Sequence, residues 1–181
     1  MSPLYDIPLN KIDGTPTTLA EYAGKALLLV NTASQCALTP QYDALEKLYQ
    51  TYRHCGFEVL GFPANDFINQ EPGTNQEIQK FCITSFGVQF PMFEKISVAG
   101  ATQHPLYQLL TAAQPIAQVA DPGFRTNLES YGTKYPLPGI LWNFEKFLVN
   151  RRGQVVARFS PEMLPGDLRI VNAIEAALPS L

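Results

Sequence analysis

Residues 26–40 read ALLLVNTASQCALTP, in which an apolar run passes into a polar turn that contains a cysteine. The run at 26–30 is too short for a helix, so it predicts a buried strand. Thr39 suits a helix N-cap and Pro40 a first helical position, and helical periodicity follows them. Cys36 would therefore lie just before a helix, where unpaired N–H groups and the helix dipole favour a thiolate.

Two interpretations of Cys36 are open on these residues alone. A free cysteine after a strand is often a small buried hydrophobic residue without a chemical role. Ser34 and Gln35 are polar, however, and polar neighbours favour a loop at the surface, where a thiol can react. The cysteine is therefore either structural or reactive.

The flanking segments predict a β-α-β unit preceded by a hairpin. An Asp-Gly pair at 13–14 is a hairpin turn signal between two short runs near the N-terminus. Helical spacing over 41–55 is followed by the strand-like FEVLGF at 57–62, and such a crossover makes the two flanking strands parallel. The loop 63–73 should then leave the sheet at the edge that also carries Cys36.

The second half of the chain predicts further helices and a second hairpin. Thr74 to Glu77 form a capping box for a helix that ends near Ser85. Residues 113–139 have no clear period, and Asp167 caps a terminal helix. The remaining predicted features are a short strand at 90–93, a helix from Pro105, strands at 144–149 and 154–159 joined by a turn, and a terminal-helix face with Leu168, Val171, Ile174 and Leu178.

This order of elements predicts one domain over 1–181 with an α/β, thioredoxin-like fold: a mixed central sheet flanked by helices, with an N-terminal β-hairpin. Of the 181 residues, 46% are hydrophobic and 16% charged, and the formal net charge is −3. No basic cluster favours nucleic acid, and no apolar stretch reaches the length of a membrane span. Because the N-terminus lacks a signal-peptide pattern, we expect a cytoplasmic protein without stable membrane association.

The cysteines and histidines exclude several kinds of site. The three cysteines, at 36, 55 and 82, form no CxxC pair, which argues against a disulfide scaffold or a zinc site. His54 lies at the far end of the first predicted helix, and His104 has no neighbouring ligands. A Cys-His acyl-transfer site and a metal site are therefore not expected.

Uncharged N–H donors are present at Gln70, Trp142 and Asn143. Such groups can hold a thiolate and can also stabilise the oxyanion that leaves a peroxide O–O bond. Each has an ordinary structural explanation as well, because Gln70 suits a turn, Trp142 a partial core position and Asn143 the entry to a strand.

Three motifs resemble the glutathione peroxidase family in its bacterial, cysteine-containing form. They occur in the family's order, and the resemblance runs from about Tyr5 to Phe159. It implies a thioredoxin-like fold and the reduction of hydrogen peroxide and organic hydroperoxides to water and alcohols. The motifs are NTASQC at 31–36, GFPANDF at 61–67 continued by QEPG at 70–73, and WNFEKFL at 142–148.

The resemblance also implies roles for the site residues. Cys36 would be the peroxidatic residue, where the animal enzymes have selenocysteine, and Gln70, Trp142 and Asn143 would complete a tetrad around its sulfur. The Cys36 thiolate would attack the peroxide and become a sulfenic acid. Cysteine members of the family commonly use an internal resolving thiol and thioredoxin, whereas the tetrameric selenoenzymes use glutathione. We expect no bound cofactor or metal, an external thiol reductant, and a monomer or small homo-oligomer.

The sequence departs from the family pattern at three positions. Ala64 stands where many relatives have a cysteine, Asp66 replaces the usual Gln, and Ala37 replaces the usual Gly. Cys82 matches the family's resolving-cysteine region, one position earlier than in the plant-type enzymes, and is the remaining candidate. Its helical spacing with apolar residues also explains it as part of the core. Cys55, at the far end of the first helix, is interpreted as structural.

Four functions fit these residues. The first is a thiol peroxidase that uses Cys36 and Cys82 and is recycled by thioredoxin. The second is a glutathione-dependent peroxidase, although no basic cluster suited to glutathione is evident. The third is a peroxide sensor that passes its disulfide to a partner protein. The fourth is a thioredoxin-like binding module, which requires a buried or protonated Cys36.

Overall fold

The computed structural model describes residues 2–131 and 136–179. Within those residues the chain forms a four-stranded mixed sheet and a separate pair of short antiparallel strands. No helix there is both long and apolar enough to cross a bilayer. The strands and α-helices in chain order are β1 (Leu9–Asn10), β2 (Pro16–Thr17), β3 (Ala26–Thr32), α1 (Gln41–Tyr52), β4 (Phe57–Pro63), α2 (Asn75–Phe86), α3 (Pro105–Ala113), α4 (Phe124–Ser130), β5 (Lys146–Val149), β6 (Val155–Phe159) and α5 (Leu168–Ala177).

The large sheet has the strand order β4-β3-β5-β6. β3 is parallel to β4 and antiparallel to β5, which in turn is antiparallel to β6. Every residue of β3 and β4 is buried, as expected for strands that are covered on both faces. The predicted β-α-β unit, the mixed sheet and both hairpins are therefore confirmed, including the N-terminal pair β1 and β2.

The parallel register brings two loops to one edge of the sheet. β3 and β4 end as register partners, so residues 33–40 and 64–73 leave the sheet side by side. A main-chain hydrogen bond joins the two loops, because Gln35 N donates to Gln70 O at 3.0 Å. The expectation that both loops share an edge is confirmed.

Helix α2 begins with the predicted capping box. Glu77 N donates to Thr74 Oγ1 at 3.2 Å, and Thr74 N donates to the Glu77 carboxylate at 2.7 Å. The helix ends at Gly87, whose φ of +60° favours glycine. Both ends of α2 are thus closed by local interactions.

The segment 90–93 is not the predicted strand, because it makes only isolated bridges with Lys11 and Gly61. Pro91 has no N–H group, so a regular ladder cannot continue through it. This segment nevertheless lies along the outer side of β4 through two main-chain hydrogen bonds. Gly61 N donates to Pro91 O at 3.0 Å, and Phe93 N donates to Gly61 O at 2.9 Å.

Residues 113–139 contain a helix that the sequence did not predict, and positions 132–135 of this segment lie outside the described residues. α4 has only seven residues, which is too few for a clear period. An ion pair between Arg125 and Glu129 at 3.4 Å and the buried side chain of Leu128 stabilise it.

Helix α5 starts as predicted, since the Asp167 side chain accepts a hydrogen bond from Arg169 N at 2.9 Å. Its predicted buried face is wrong at Leu168, which is 72% exposed. The buried residues are Ile170 and Ile174, which are four apart and lie on one face. Leu168 is two residues before Ile170, about 200° away around the helix axis, and faces solvent.

Candidate active site

Cys36 lies in the turn between β3 and α1, and its side chain is 8% exposed. Leu38 N donates a hydrogen bond to Cys36 Sγ at 3.3 Å, so a main-chain N–H faces the sulfur. The neighbouring Gln35 is exposed and Ser34 half-buried, which agrees with a loop near the surface. An N–H donor of this kind stabilises a thiolate more than a thiol.

The turn around Cys36 is held by Thr39, which is not the predicted N-cap. α1 begins at Gln41, with Pro40 at the cap position and no side-chain cap. Thr39 Oγ1 instead accepts a hydrogen bond from Cys36 N at 3.0 Å and donates one to Ala33 O at 2.8 Å. The hydroxyl therefore fixes the cysteine's main chain from both sides, which local capping rules could not predict.

Gln70 and Asn143 are joined beside this turn. Asn143 Nδ2 donates to Gln70 Oε1 at 2.8 Å, and the Gln70 carbonyl accepts from Gln35 N. Because the Gln70 amide oxygen is bound to Asn143, its NH₂ group is left to donate elsewhere. The three motifs of the sequence thus meet at one edge of the sheet, and uncharged amides accompany the cysteine there.

Trp142 immediately precedes Asn143 in the chain. Its ring packs on Phe67 with the centroids 5.4 Å apart, and its carbonyl accepts a hydrogen bond from Asn31 Nδ2 at 3.0 Å. Phe144 N donates to Asn31 O at 2.6 Å, and Phe144 has a φ of +68°, which is strained for a bulky residue. This turn after Asn143 directs the segment into β5.

A buried ion pair supports the segment before Trp142, and the sequence analysis did not identify it. Arg158 and Glu145 are bonded to each other and are both almost fully buried. The Glu145 carboxylate also accepts a hydrogen bond from Leu141 N at 2.7 Å, and burial raises its pKa. Charged residues inside the apolar β5 and β6 patterns were the available signal. The Arg158 guanidinium further donates to the carbonyls of Gln114, Pro115, Pro138 and Gly139.

Cys82 lies in the middle of α2 and is 1% exposed. Burial raises the pKa of this thiol to about 11, and the negative charge of Glu71 adds to the shift. The nearby Tyr42 hydroxyl acts against it. Cys55, interpreted as structural because of its distance from Cys36, is exposed and follows the end of α1. All three cysteines are free thiols.

The histidines do not join this site. His104 is the N-cap of α3, because its Nδ1 accepts a hydrogen bond from Leu106 N at 3.1 Å. His54 is exposed and accepts a hydrogen bond from Arg53 Nε at 3.2 Å. Among the residues of the described part, no group of three or more His, Cys, Asp or Glu side chains is arranged to hold a metal ion.

Comparison with known proteins identifies the family of this chain. Residues 4–111 match the family model described as glutathione peroxidase. The chain belongs to the glutathione peroxidase family. It is 52% identical over 172 residues to the "Thioredoxin/glutathione peroxidase BtuE" of Escherichia coli strain K12, with 94% of each chain covered. It is 45% identical to the "Hydroperoxy fatty acid reductase gpx1" of Synechocystis, over 91% of this chain and 90% of that one.

Solved structures agree with the family and the fold. The crystal structure of T. cruzi GPX1 has a TM-score of 0.68 and 30% identity, and covers 97% of this chain and 94% of that one. A thioredoxin-family thiol:disulfide interchange protein from Chlorobium tepidum, at 17% identity, has a TM-score of 0.56 and covers 94% of this chain and 92% of that one. The predicted family, the thioredoxin-like fold and the assignment as a peroxidase that reduces peroxides are confirmed.

Proposed function

We propose that this glutathione peroxidase works through a cycle of thiol reactions that begins at Cys36. The Cys36 thiolate attacks one peroxide oxygen, the O–O bond breaks, and the other oxygen leaves as water or an alcohol. Cys82 then attacks the Cys36 sulfenic acid and forms an internal disulfide. Thioredoxin reduces this disulfide and returns both thiols.

The observation that carries the proposal is the hydrogen-bonded meeting of the Cys36 loop with Gln70 and Asn143. Gln35 N donates to Gln70 O, and Asn143 Nδ2 donates to Gln70 Oε1. Uncharged amide donors beside a sulfur suit this reaction, because negative charge moves from the thiolate to the leaving oxygen. We assign Gln70, Trp142 and Asn143 to the stabilisation of that charge.

The attack of Cys82 on the Cys36 sulfenic acid requires a rearrangement of α2. The Cys82 thiol is almost fully buried in a helix with capped ends, so part of the helix must open before its sulfur can reach Cys36. Local opening of this kind costs less than global unfolding. Cys82 is the favoured partner because Ala64 removes the other family position and Cys55 follows the far end of α1.

The test is mass spectrometry of the protein after one equivalent of hydrogen peroxide. We expect the loss of two hydrogens and a crosslinked peptide that joins Cys36 to Cys82. Cys82→Ser should instead accumulate a sulfenic acid that dimedone traps at Cys36. Cys55→Ser is the matched control and should behave as wild type, whereas a crosslink to Cys55 would contradict the assignment of Cys82.

The reductant is tested separately, because the name of the Escherichia coli relative includes both thioredoxin and glutathione. With hydroperoxide, thioredoxin, thioredoxin reductase and NADPH, we expect NADPH consumption that Cys36→Ser and Cys82→Ser both lose. If Cys82→Ser keeps full turnover with glutathione as the sole reductant, the glutathione-dependent reaction is the correct one.

A further inference from the structure

Glu71 is a buried carboxylate that the cycle above leaves without a role. It follows Gln70 in the loop that meets the Cys36 turn, and it is 1% exposed. Its main chain is fixed, since Glu71 N donates to Asn65 Oδ1 at 2.9 Å and its carbonyl accepts from Lys95 Nζ at 3.0 Å. The side chain is therefore held in one place between the cysteine loop and α2.

The Glu71 carboxylate has a hydrogen bond but no salt bridge among the described residues. Ser34 Oγ, two residues before Cys36, donates to Glu71 Oε2 at 3.1 Å. Lys95 is the nearby cation, but its ammonium group binds the carbonyls of Glu71 and Gly73. Burial raises the pKa of Glu71 to about 7, and the Ser34 hydrogen bond and the charge of Lys95 limit the increase.

The same carboxylate faces α2 across an open cleft of about 480 Å³. Ser34 and Glu71 line one side of the cleft, and Ile78 and Phe81 of α2 line the other. Cys82 is one turn after Ile78 on the same helix, and both are buried. The Glu71 charge acts on the Cys82 thiol and on the Tyr42 hydroxyl, which also influences the pKa of that thiol.

We propose that Glu71 accepts the proton of the Cys82 thiol when Cys82 attacks the Cys36 sulfenic acid. This inference rests on the function proposed above. Opening of α2 toward the cleft brings the thiol to a carboxylate that is already tied to the Cys36 loop through Ser34. Glu71 acts on the resolving step alone and has no part in the attack on peroxide.

The step balances without any further reactant. The S–H proton of Cys82 moves to Glu71, and the sulfur of Cys82 forms a bond with the sulfur of Cys36. The S–O bond of the sulfenic acid breaks, and the leaving hydroxide takes the proton from Glu71 and departs as water. Cys82 is oxidised, the sulfenic sulfur is reduced, and Glu71 returns to its starting state.

While α2 is closed, the buried Cys82 thiol is almost never ionised, so a base beside it is needed to take its proton as the helix opens. With its pKa at about 11, about one molecule in 10,000 carries the thiolate at pH 7. A carboxylate with a pKa near 7 is about half ionised at that pH, which suits a proton acceptor. Transfer of the proton to Glu71 also neutralises its carboxylate, whose negative charge opposes ionisation of Cys82.

The test measures the two steps separately in the wild type and in Glu71→Gln. Trp142 is the only tryptophan of the chain and lies in the candidate site, so its fluorescence can follow both phases after peroxide is mixed. We expect the peroxide phase to stay within about twofold and the disulfide phase to slow about 100-fold. Glu71→Asp should recover part of the rate. Glu129→Gln, an exposed position on α4, is the matched control and should leave both phases unchanged.

The pH profile provides a readout that a purely structural role would not change. In the wild type the disulfide rate should rise with pH and level off above about 7, as Glu71 ionises. In Glu71→Gln it should rise steadily through pH 9, as the thiol itself ionises. The other ionisable groups near Glu71 are Lys95, Glu77, Tyr42 and Cys82. The pKa of Glu77 is lowered by its hydrogen bonds with Thr74, and burial raises the pKa values of Tyr42 and Cys82.

The outcomes separate this inference from the proposed function. A Glu71→Gln variant that forms its disulfide at the wild-type rate overturns the role of Glu71 and leaves the cycle intact. If Glu71→Gln does not fold, a wild-type disulfide rate without a change of slope between pH 6 and 8 overturns it equally. If the wild type forms no Cys36–Cys82 disulfide, the proposed cycle and this inference both fail.

Discussion

Cys36 and Cys82 occupy opposite kinds of environment. Cys36 lies in a turn, where Leu38 N donates to its sulfur and the neighbouring Gln35 N donates to the main chain of Gln70. Cys82 lies in the middle of a capped helix, where burial raises the pKa of its thiol to about 11. The main-chain N–H groups of a turn can donate hydrogen bonds to a nearby sulfur. The N–H groups in the interior of a helix already donate to carbonyls of the same helix.

In the proposed cycle, this difference sets an order of reaction between two chemically identical side chains. In that cycle the thiol in the turn reacts with peroxide first, and the thiol in the helix reacts after α2 opens. The five predictions that follow test this order, beginning with the largest effect.

The strongest test removes the sulfur in the turn. Cys36→Ser should lower peroxide consumption about 1,000-fold or more, because a serine hydroxyl is not ionised at neutral pH. The rate is measured by hydrogen peroxide loss under single-turnover conditions. Cys55→Ser is the control. Substantial peroxide reduction by Cys36→Ser would show that the turn is not the reactive environment.

Replacement of the buried sulfur should separate the two steps. In Cys82→Ser we expect a normal first turnover but a loss of thioredoxin-supported turnover of more than about tenfold, since the sulfenic acid has no internal partner. Stopped-flow measurement of the first turnover and steady-state NADPH consumption report the two steps. A first turnover that slows as much as the steady state would contradict the assignment of the two steps to different cysteines.

The amide donors beside Cys36 should matter for the first step alone. Asn143→Ala should slow the reaction with peroxide about 100-fold, because one donor to the developing charge is lost and Gln70 loses the partner that orients it. Asn127→Ala, an exposed Asn on α4, is the matched control. If Asn143→Ala reacts within about twofold of the wild type, the amides are only structural.

The buried carboxylate should be visible in the pH dependence of stability. The pKa of Glu71 is raised from 4.5 to about 7, so between those values the folded chain binds a proton that the unfolded chain has released. The free energy of unfolding should therefore fall as pH rises from about 4.5 to 7 and stay level above. Relative to Glu71→Gln, the wild type should lose roughly 1–3 kcal/mol across this range in urea titrations. An unchanged difference would mean that Glu71 titrates normally.

The smallest effect tests whether α2 must open. Thr74→Ala removes the side-chain cap and should lower the free energy of unfolding by about 1 kcal/mol. If opening limits the disulfide step, that step should become faster by up to about fivefold. Thr84→Ala, on the same helix and away from its N-terminus, is the matched control. A slower disulfide step in Thr74→Ala would indicate that an intact helix is needed.

The sequence was sufficient for the fold and the family because both depend on local patterns. The apolar run of β3, the capping box of α2 and the three family motifs each lie within a short window. The interactions that support the candidate site were not predicted because they depend on how the chain folds in three dimensions. Thr39 binds back into its own turn, and Arg158 pairs with Glu145, which immediately precedes the neighbouring strand β5. Neither partner can be identified from spacing alone.

The bonds of Arg158 imply that two sides of the candidate active site differ in how easily they move. Trp142 and Asn143 follow a segment anchored by a buried guanidinium, whereas the facing loop carries Ile68, exposed and with a φ of +44°. We expect bulky hydroperoxides to be accommodated by displacement of the Ile68 loop while the indole stays fixed. Amide hydrogen exchange should accordingly be slow at 141–145 and fast at 66–69. The reverse order would indicate that the segment with Trp142, rather than the Ile68 loop, moves to accommodate bulky substrates.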